Sequence, residues 1–223
     1  MKRKCILTEN QTYHIFNRSI ANFCIFNHDN DFIRMLYLFR YFQIQNQPTK
    51  FSYFMDLKQV QQNGFNNYFN FISKDELKII QIIAYCLMPT HIHLVLKQLS
   101  PNGISIFMSN VLNSYTRYFN TKHHRKGPLW ESKFQNVLVN KDEQLLHLTR
   151  YIHLNPTSAS LVKKPQDWQF SSYKEYLGQI DHPICQFNDL LEIHPKQYQN
   201  FVQDRIAYQK ELSIIKKCLI DQS

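Results

Sequence analysis

The chain has 223 residues and a formal net charge of +9, with 26 Lys and Arg against 17 Asp and Glu. Hydrophobic residues make up 43% of the chain, including 17 Phe and 13 Tyr, which is enough for a substantial core and excludes disorder in bulk. The excess positive charge favours a polyanionic partner, although charge alone does not identify nucleic acid.

Other classes of protein are disfavoured by the cysteine and glycine positions. The five cysteines are scattered without a CxxC pair, which argues against a disulfide framework or structural zinc and is typical of a reducing cytoplasm. The first residues lack the apolar run of a signal peptide, and no stretch approaches the roughly 18 apolar residues of a membrane span. The four glycines form neither a P-loop nor a dinucleotide fingerprint, so we expect no nucleotide-driven mechanism.

The first half of the chain is predicted to contain three strands and a helix. Residues 12–18 are rich in aromatic and β-branched residues and predict a strand, and residues 31–45 predict a helix with one apolar side. Residues 46–75, rich in Asn, Gln and Phe, have no clear period and are interpreted as an insertion with some helix. The apolar run 79–87 predicts a buried strand, paired as a hairpin with a second strand at 91–97.

The second half begins with a long amphipathic helix. Apolar residues at helical spacing place that helix at 103–121, before a basic loop and a strand at 134–139. A further helix is predicted to start at Asn140, an N-cap with a glutamate three residues on, and to end near Leu154 because Pro156 follows.

The order of these elements predicts an α+β fold. A short helix is expected after Ser171 and two more near the C-terminus. The order is strand, helix, two strands, helix, strand and helix. This order indicates a ferredoxin-like sandwich, with an antiparallel sheet of four to five strands and helices on one or both faces. We therefore predict one domain over residues 1–178, with the insertion at 46–75, and a helical extension over residues 179–223.

Two histidines one residue apart lie on the second strand of the predicted hairpin. Because side chains alternate along a strand, His91 and His93 share one face, whereas Ile92, Leu94 and Leu96 share the other. The two histidine Cα atoms should lie about 7 Å apart, so both imidazoles can reach one metal ion. Mn or Zn would suit them, as would Mg with added oxygen ligands. The alternative is a chance pair on a half-exposed strand.

A tyrosine and an asparagine are spaced four residues apart in LTRYIHLNP. Tyr151 and Asn155 therefore lie on one side of their helix, with the phenol on the flank of the apolar stripe, where a ligand can reach it. The amide oxygen of Asn155 is a candidate third metal ligand. The alternative for Tyr151 is an ordinary packing role with a hydrogen-bonded hydroxyl.

These motifs together resemble the REP-associated tyrosine transposases, within the single-tyrosine HUH transposases of the insertion-sequence-200-like class. The resemblance runs from about Tyr13 to Tyr176 and is carried by YHIFNRS, MPTHIHLVL, SYTRYFN, GPLWESKF, YIHLNP and WQFSSYKEY. MPTHIHLVL combined with YIHLNP is its specific part. The sequence departs from the family pattern at Thr90, Lys133 and Ser160, where Asn, Arg and Gly are usual.

The resemblance implies a metal-dependent DNA transposase that cleaves and rejoins single-stranded DNA. Its catalytic residues would be Tyr151, His91 and His93. A divalent ion, Mg or Mn, would be bound by His91, His93 and Asn155. Attack by Tyr151 would leave a 5′-phosphotyrosine link and a free 3′-hydroxyl, and this link stores the bond energy so that rejoining needs no ATP.

The implied partner is single-stranded or hairpin DNA, bound by a monomer or homodimer near the nucleoid in a bacterial cytoplasm, with no membrane involved. The candidate DNA-binding residues are the basic loop after the long helix, further cations and one aromatic ring. They are Arg18, Arg117, Lys122, His123, His124, Arg125, Lys126, Trp130 and Lys133.

Three other functions fit parts of the same pattern. A domesticated binder of DNA hairpins would bind without transposition and form no covalent adduct. A metal-dependent phosphodiesterase would use water as its nucleophile and would not need Tyr151. A relaxase or replication initiator shares the histidine motif, but such proteins are usually larger and often carry a third histidine.

Overall fold

The computed structural model describes residues 6–208 of the chain. Its centre is a four-stranded antiparallel sheet in the order β2-β3-β1-β4. The strands are β1 (Thr12–Arg18), β2 (Ile80–Met88), β3 (His91–Gln98) and β4 (Gln135–Val139). This order confirms the predicted ferredoxin-like α+β fold, and the strand bounds agree with the predicted ones to within one residue.

Eight helices surround this sheet in the described part of the chain. Three short ones lie between the first helix and β2, so the segment predicted as an insertion is mostly helical. No helix within residues 6–208 has the length and apolar content needed to cross a bilayer. The helices are α1 (Asp29–Phe42), α2 (Phe51–Met55), α3 (Lys58–Asn63), α4 (Phe65–Ile72), α5 (Gly103–Lys122), α6 (Asp142–Ser158), α7 (Tyr173–Tyr176) and α8 (Pro195–Gln203).

Helices cover both faces of the sheet. Helices α1 and α5 pack on one face, where Ile15 of β1 and Leu94 of β3 belong to the same buried cluster as Phe39 and Phe107. Helices α6, α7 and α8 pack on the opposite face, in a second cluster that contains Val95 of β3. The sheet therefore has an α1–α5 face and an α6 face, and alternation along β3 assigns each of its side chains to one of them.

Strand β2 is buried on both faces, which explains its uninterrupted apolar sequence. Its pairing with β3 shifts between Ile82 and Ala84, where a bulge adds one residue. The bulge lets Ile82 and Tyr85 share the α1–α5 cluster, while Ala84 and Cys86 lie in the cluster beneath α6.

The predicted end of α6 near Leu154 is wrong, because the helix continues through Pro156 to Ser158. A proline inside a helix leaves the carbonyl four residues earlier without its N–H partner. Here the side-chain amide of Asn155 donates to that carbonyl, Ile152 O, over 3.4 Å and to Tyr151 O over 3.2 Å. The asparagine thus supplies the donor that the proline lacks.

Other boundaries also differ from prediction. Helix α1 spans Asp29–Phe42 rather than 31–45, and the N-cap of α6 is Lys141, not Asn140. The Asn140 N–H instead donates to the side chain of Gln144 over 3.0 Å. One predicted C-terminal helix is α8; the second falls largely on residues outside 6–208.

Helix α6 is fastened at its centre by a buried histidine. His153 is fully buried, with Nδ1 at 2.7 Å from the hydroxyl of Tyr198 in α8 and Nε2 at 2.8 Å from Oγ of Ser172. That same Oγ accepts the backbone N–H of Tyr85 in β2 over 2.9 Å. The histidine therefore joins α6 to α8 and to the edge of the sheet, and burial lowers its pKa to about 3.

We predict that His153 makes the fold acid-sensitive. Because its pKa is about 3 in the folded chain and near 6.5 when unfolded, its contribution is complete above pH 6.5 and is lost as pH falls toward 3. Replacing His153→Asn should reduce the slope of unfolding free energy against pH by up to about 1.4 kcal/mol per pH unit in this window. Urea unfolding at pH 7.5 and 5 measures that slope.

The matched control is His147→Asn, which changes an exposed histidine on the same helix. This variant should keep the slope of the parent chain. A His153→Asn variant with the parent slope would contradict the assigned protonation of His153, whatever its absolute stability.

Candidate active site

Two histidines of β3 point toward α6, as the alternation of the strand predicts. The rings of His91 and His93 are 5.0 Å apart between centroids and nearly perpendicular, at 89°. Ile92 and Leu94 are fully buried in the cluster on the α1–α5 face. This burial holds the strand in place and leaves both imidazoles on the α6 face.

The Nδ1 atom of each imidazole has a defined partner. His91 Nδ1 lies 3.0 Å from Oγ1 of Thr90, and His93 Nδ1 lies 3.1 Å from Nε2 of His14 on β1. When the other ring nitrogen of a histidine is hydrogen-bonded, the tautomer and ring orientation of a metal ligand are set. Both Nε2 atoms are therefore the ring nitrogens that can bind a metal ion.

All three imidazoles are neutral at physiological pH. Burial lowers the pKa of His14 to about 4. Burial, aided by the nearby positive charge of Arg18, also lowers the pKa of His91 to about 4. Burial, with His91 and His14 close by, holds the pKa of His93 well below its ordinary value. Neutral imidazoles are the form that binds metals.

Tyr151 of α6 lies against this pair. Its ring centroid is 6.1 Å from that of His93, with the rings at 85°, and 40% of the residue is exposed. Burial of the remainder raises the pKa of its hydroxyl. Asn155 follows one turn later, and because its amide nitrogen donates to helix carbonyls, its oxygen is the atom left to bind a ligand.

A cavity of about 590 Å³ lies beside the histidines, between β1, β3 and the segment before β4. Arg18 and Glu131 form an ion pair on its rim, joined by Arg18 Nε and Glu131 Oε2. The buried side chain of Asn17 donates to the carbonyls of Ser132 and Lys133, both at 3.0 Å, and ties that segment to β1. Of the predicted residues, Arg18 therefore lines this site, and Lys133 follows the lining residue Ser132 in the chain.

Other predicted DNA-binding residues lie elsewhere. Arg117 and Lys122 are on α5, which packs on the α1–α5 face of the sheet. Lys122 Nζ is 2.6 Å from Oδ1 of the buried Asp31, so its charge is already paired. The side chain of Trp130 is only 9% exposed and packs near Tyr115, 6.2 Å between centroids, within the core.

The basic loop after α5 is partly occupied by its own contacts. The guanidinium of Arg125 donates to Asn120 Oδ1 over 2.8 Å and to Pro128 O over 2.9 Å. The ring of His123 lies 4.3 Å from that of Phe119 between centroids, tilted by 37°. The side chains of His124 and Lys126 are exposed. His123 is also exposed, so these three residues are the accessible cations and histidines at the end of the loop, whereas Arg125 is half-buried.

Sequence reasoning missed His14 as a site residue. The alternation in TYHIFNR places it on one face of β1 with Phe16, but the pairing of β1 with β3 joins residues 79 positions apart. In that register Phe16 is directly opposite His93, and His14 is two pairs further along, opposite Val95. A predicted ferredoxin-like strand order would have given the neighbouring strands, but not this register.

The donor set fits a divalent metal ion. No group of three or more His, Cys, Asp and Glu side chains within residues 6–208 is arranged to hold one. His91 and His93 offer two neutral imidazoles beside open space, and Asn155 offers an amide oxygen on α6. Borderline ions such as Mn accept nitrogen and oxygen donors together, and Mg does so when oxygen ligands predominate.

Comparisons with known proteins show which family the middle of the chain is similar to. A model of the family described as "Transposase IS200 like" matches residues 55–155, a range that includes both β3 histidines, Tyr151 and Asn155. This part of the chain is therefore similar to the IS200-like transposases.

Two proteins to which the chain is similar are named as REP-associated tyrosine transposases. A Haemophilus influenzae protein named as one is 28% identical over 104 residues, which are 42% of this chain and 58% of that relative. The solved structure of a REP-associated tyrosine transposase bound to a REP hairpin has 14% identity and a TM-score of 0.53, covering 87% of this chain and 96% of that chain. This structural similarity shows a shared fold.

We predict that His14 sets the metal affinity through His93. Replacing His14→Leu removes the partner of His93 Nδ1 and should weaken Mn binding by about 10- to 100-fold. In a His14→Gln variant the amide oxygen can still accept that N–H, so most of the affinity should return. Titration calorimetry with Mn gives both values, and equal affinities for the two variants would contradict the assigned role.

Proposed function

We propose that the protein is a DNA transposase that cleaves and rejoins single-stranded DNA through a covalent bond to Tyr151. The observation that carries this proposal is the position of Tyr151, a partly exposed phenol 6.1 Å from the ring of His93 and beside two neutral imidazoles. A phenol next to two imidazoles that could hold a metal ion suits phosphoryl transfer through a covalent intermediate.

The proposed substrate is hairpin DNA with a single-stranded segment at the cleaved position. A net charge of +9 favours a phosphate backbone, and Arg18 lines the cavity, where it is paired with Glu131. The cavity of about 590 Å³ is within the size range of ligand sites in proteins. The structural relative bound to a REP hairpin supports the choice of a hairpin.

In the proposed reaction the Tyr151 hydroxyl oxygen attacks the scissile phosphorus. A bond forms between that oxygen and phosphorus as the bond from phosphorus to the 3′-oxygen breaks. The tyrosine proton is lost and the leaving oxygen gains one, so the products are a 5′-phosphotyrosine and a 3′-hydroxyl. Reversal by a 3′-hydroxyl rejoins the strand without ATP, because the ester retains the bond energy.

Tyr151 is expected to be a phenol in the resting protein. Burial raises its pKa above the ordinary value near 10, so the side chain is protonated at neutral pH. It therefore loses its proton only as the bond to phosphorus forms. The hydrogen bonds that hold His91 and His93 keep the neighbouring rings in one orientation during this step.

His91, His93 and Asn155 would hold the divalent ion that this chemistry needs. Bound there, Mg or Mn would act as a Lewis acid that offsets the charge developing on the phosphate oxygens. Because the proposed substrate is DNA, the protein would act near the nucleoid of a bacterial cytoplasm.

The experiment is denaturing gel electrophoresis of the full chain mixed with labelled hairpin DNA and Mn or Mg. We predict a label that migrates with the protein, and no such label for Tyr151→Phe, since this change removes only the nucleophilic oxygen. Tyr208→Phe is the matched control, because Tyr208 is also exposed, at 53%, and should keep the adduct. Removing the metal with EDTA should abolish the adduct.

Two other results would indicate a different function for this protein. Cleavage by both the parent chain and Tyr151→Phe, without an adduct, would indicate a water nucleophile and a phosphodiesterase. Tight hairpin binding with no cleavage, over several hairpin sequences, would indicate a domesticated binder. Either result would overturn the transposase proposal.

A further inference from the structure

A groove of about 890 Å³ lies between α1, α2 and α5. It lies on the α1–α5 face of the sheet, opposite the face that carries Tyr151. Helix α2 belongs to the segment 46–75, which has no role in the site described above. The groove residues contributed by α1 and α2 come before residue 55, where the family match begins.

Positive charge in this groove is only partly neutralised. Arg34 of α1, Lys50 before α2 and Arg117 of α5 line it, and none of them forms an ion pair with any residue in the range 6–208. The fourth cation, Lys122, is paired with Asp31. Burial lowers the pKa of Arg34, and the nearby Asp56, which forms no ion pair with it, opposes this shift only in part. Three cations thus remain for an anionic ligand.

Arg34 is the most unusual of these cations. Its guanidinium carbon lies 4.4 Å from the ring centroid of Tyr118 and 5.1 Å from that of Phe51. Its Nε is buried and makes no hydrogen bond to residues 6–208. A buried donor on a charged group is costly unless an acceptor meets it. A phosphate oxygen is the acceptor that matches guanidinium geometry.

The rim of the groove also carries an exposed aromatic ring. Tyr53 of α2 is 60% exposed, although a tyrosine in a core-packing role would be buried. Lys50 Nζ lies 5.8 Å from the centre of that ring. Exposed rings beside cations are the features with which proteins bind unpaired bases and their phosphates.

We propose that this groove binds single-stranded DNA, with phosphates at Arg34, Lys50 and Arg117 and a base stacked on Tyr53. A single strand is favoured over a duplex because only unpaired bases expose a face to an aromatic ring. The inference rests on the proposed function in that the bound strand belongs to the DNA that Tyr151 cleaves. The groove would hold a part of this strand that is distant from the cleaved phosphate.

The test measures binding of a labelled oligonucleotide of about 12 thymidines by fluorescence anisotropy over a range of salt concentrations. The test variant is Lys50→Gln/Arg117→Gln, because both side chains are exposed and their loss should not affect folding. We expect affinity to fall about tenfold and the salt slope to fall by about 1.4, two phosphate contacts at about 0.7 each. Tyr53→Ala should weaken binding without changing the slope.

The matched control is Lys163→Gln/Lys196→Gln, which removes the same charge from exposed positions outside the groove. It should retain the parent affinity. Equal losses of affinity in both double variants would mean that net charge alone is responsible, which would overturn the proposal. An unchanged affinity for Lys50→Gln/Arg117→Gln would also overturn it. An equal loss for a thymidine–adenine duplex would overturn the assignment to single strands.

Failure of this inference can be told apart from failure of the proposed function. Adduct formation depends on Tyr151 and is read on a denaturing gel, whereas anisotropy with Tyr151→Phe measures only binding. A chain that forms the adduct but shows no groove dependence refutes the groove alone. Groove-dependent binding without an adduct refutes the proposed transposase activity but supports the groove as a binding site for single-stranded DNA.

Discussion

The arrangement of the site depends on the division of β3 between two faces. Ile92 and Leu94 are fully buried against α1 and α5, so the strand cannot rotate or slip without exposing them. Because side chains alternate, the same burial directs His91 and His93 to the opposite face. The helices there leave those two rings beside an open cavity. The buried apolar side chains of β3 thus fix the positions of the two histidines on its other face.

Hydrogen bonds beyond the strand then specify the geometry of the polar groups. Thr90 and His14 each occupy one Nδ1, so the two imidazoles present the same nitrogen, Nε2, to the site. On α6, Asn155 replaces the donor that Pro156 lacks, which both extends the helix and orients the asparagine amide. Thr90 stands where the family that the sequence resembles usually has Asn. Its hydroxyl nevertheless helps to orient His91.

The structure separates positive charge onto two surfaces. Arg18 lies beside the histidines on the α6 face, whereas Arg117 lies in the groove of the α1–α5 face. The ion pair between Lys122 and the buried Asp31 makes that lysine a structural residue. Burial alone would raise the pKa of Asp31, but hydrogen bonds from Lys122, Tyr118 and two backbone N–H groups lower it. A strand bound to both surfaces would have to pass around the edge of the sheet.

The sequence by itself determined the elements and the faces of their residues. Periods of two and of 3.6 residues are local, so they predicted the strands, the shared face of His91 and His93, and the shared side of Tyr151 and Asn155. Only the tertiary structure decided that His14 meets His93, that Lys122 is neutralised and that Arg117 lies away from Tyr151. These contacts join residues up to 91 positions apart, and such pairings leave no trace in local spacing.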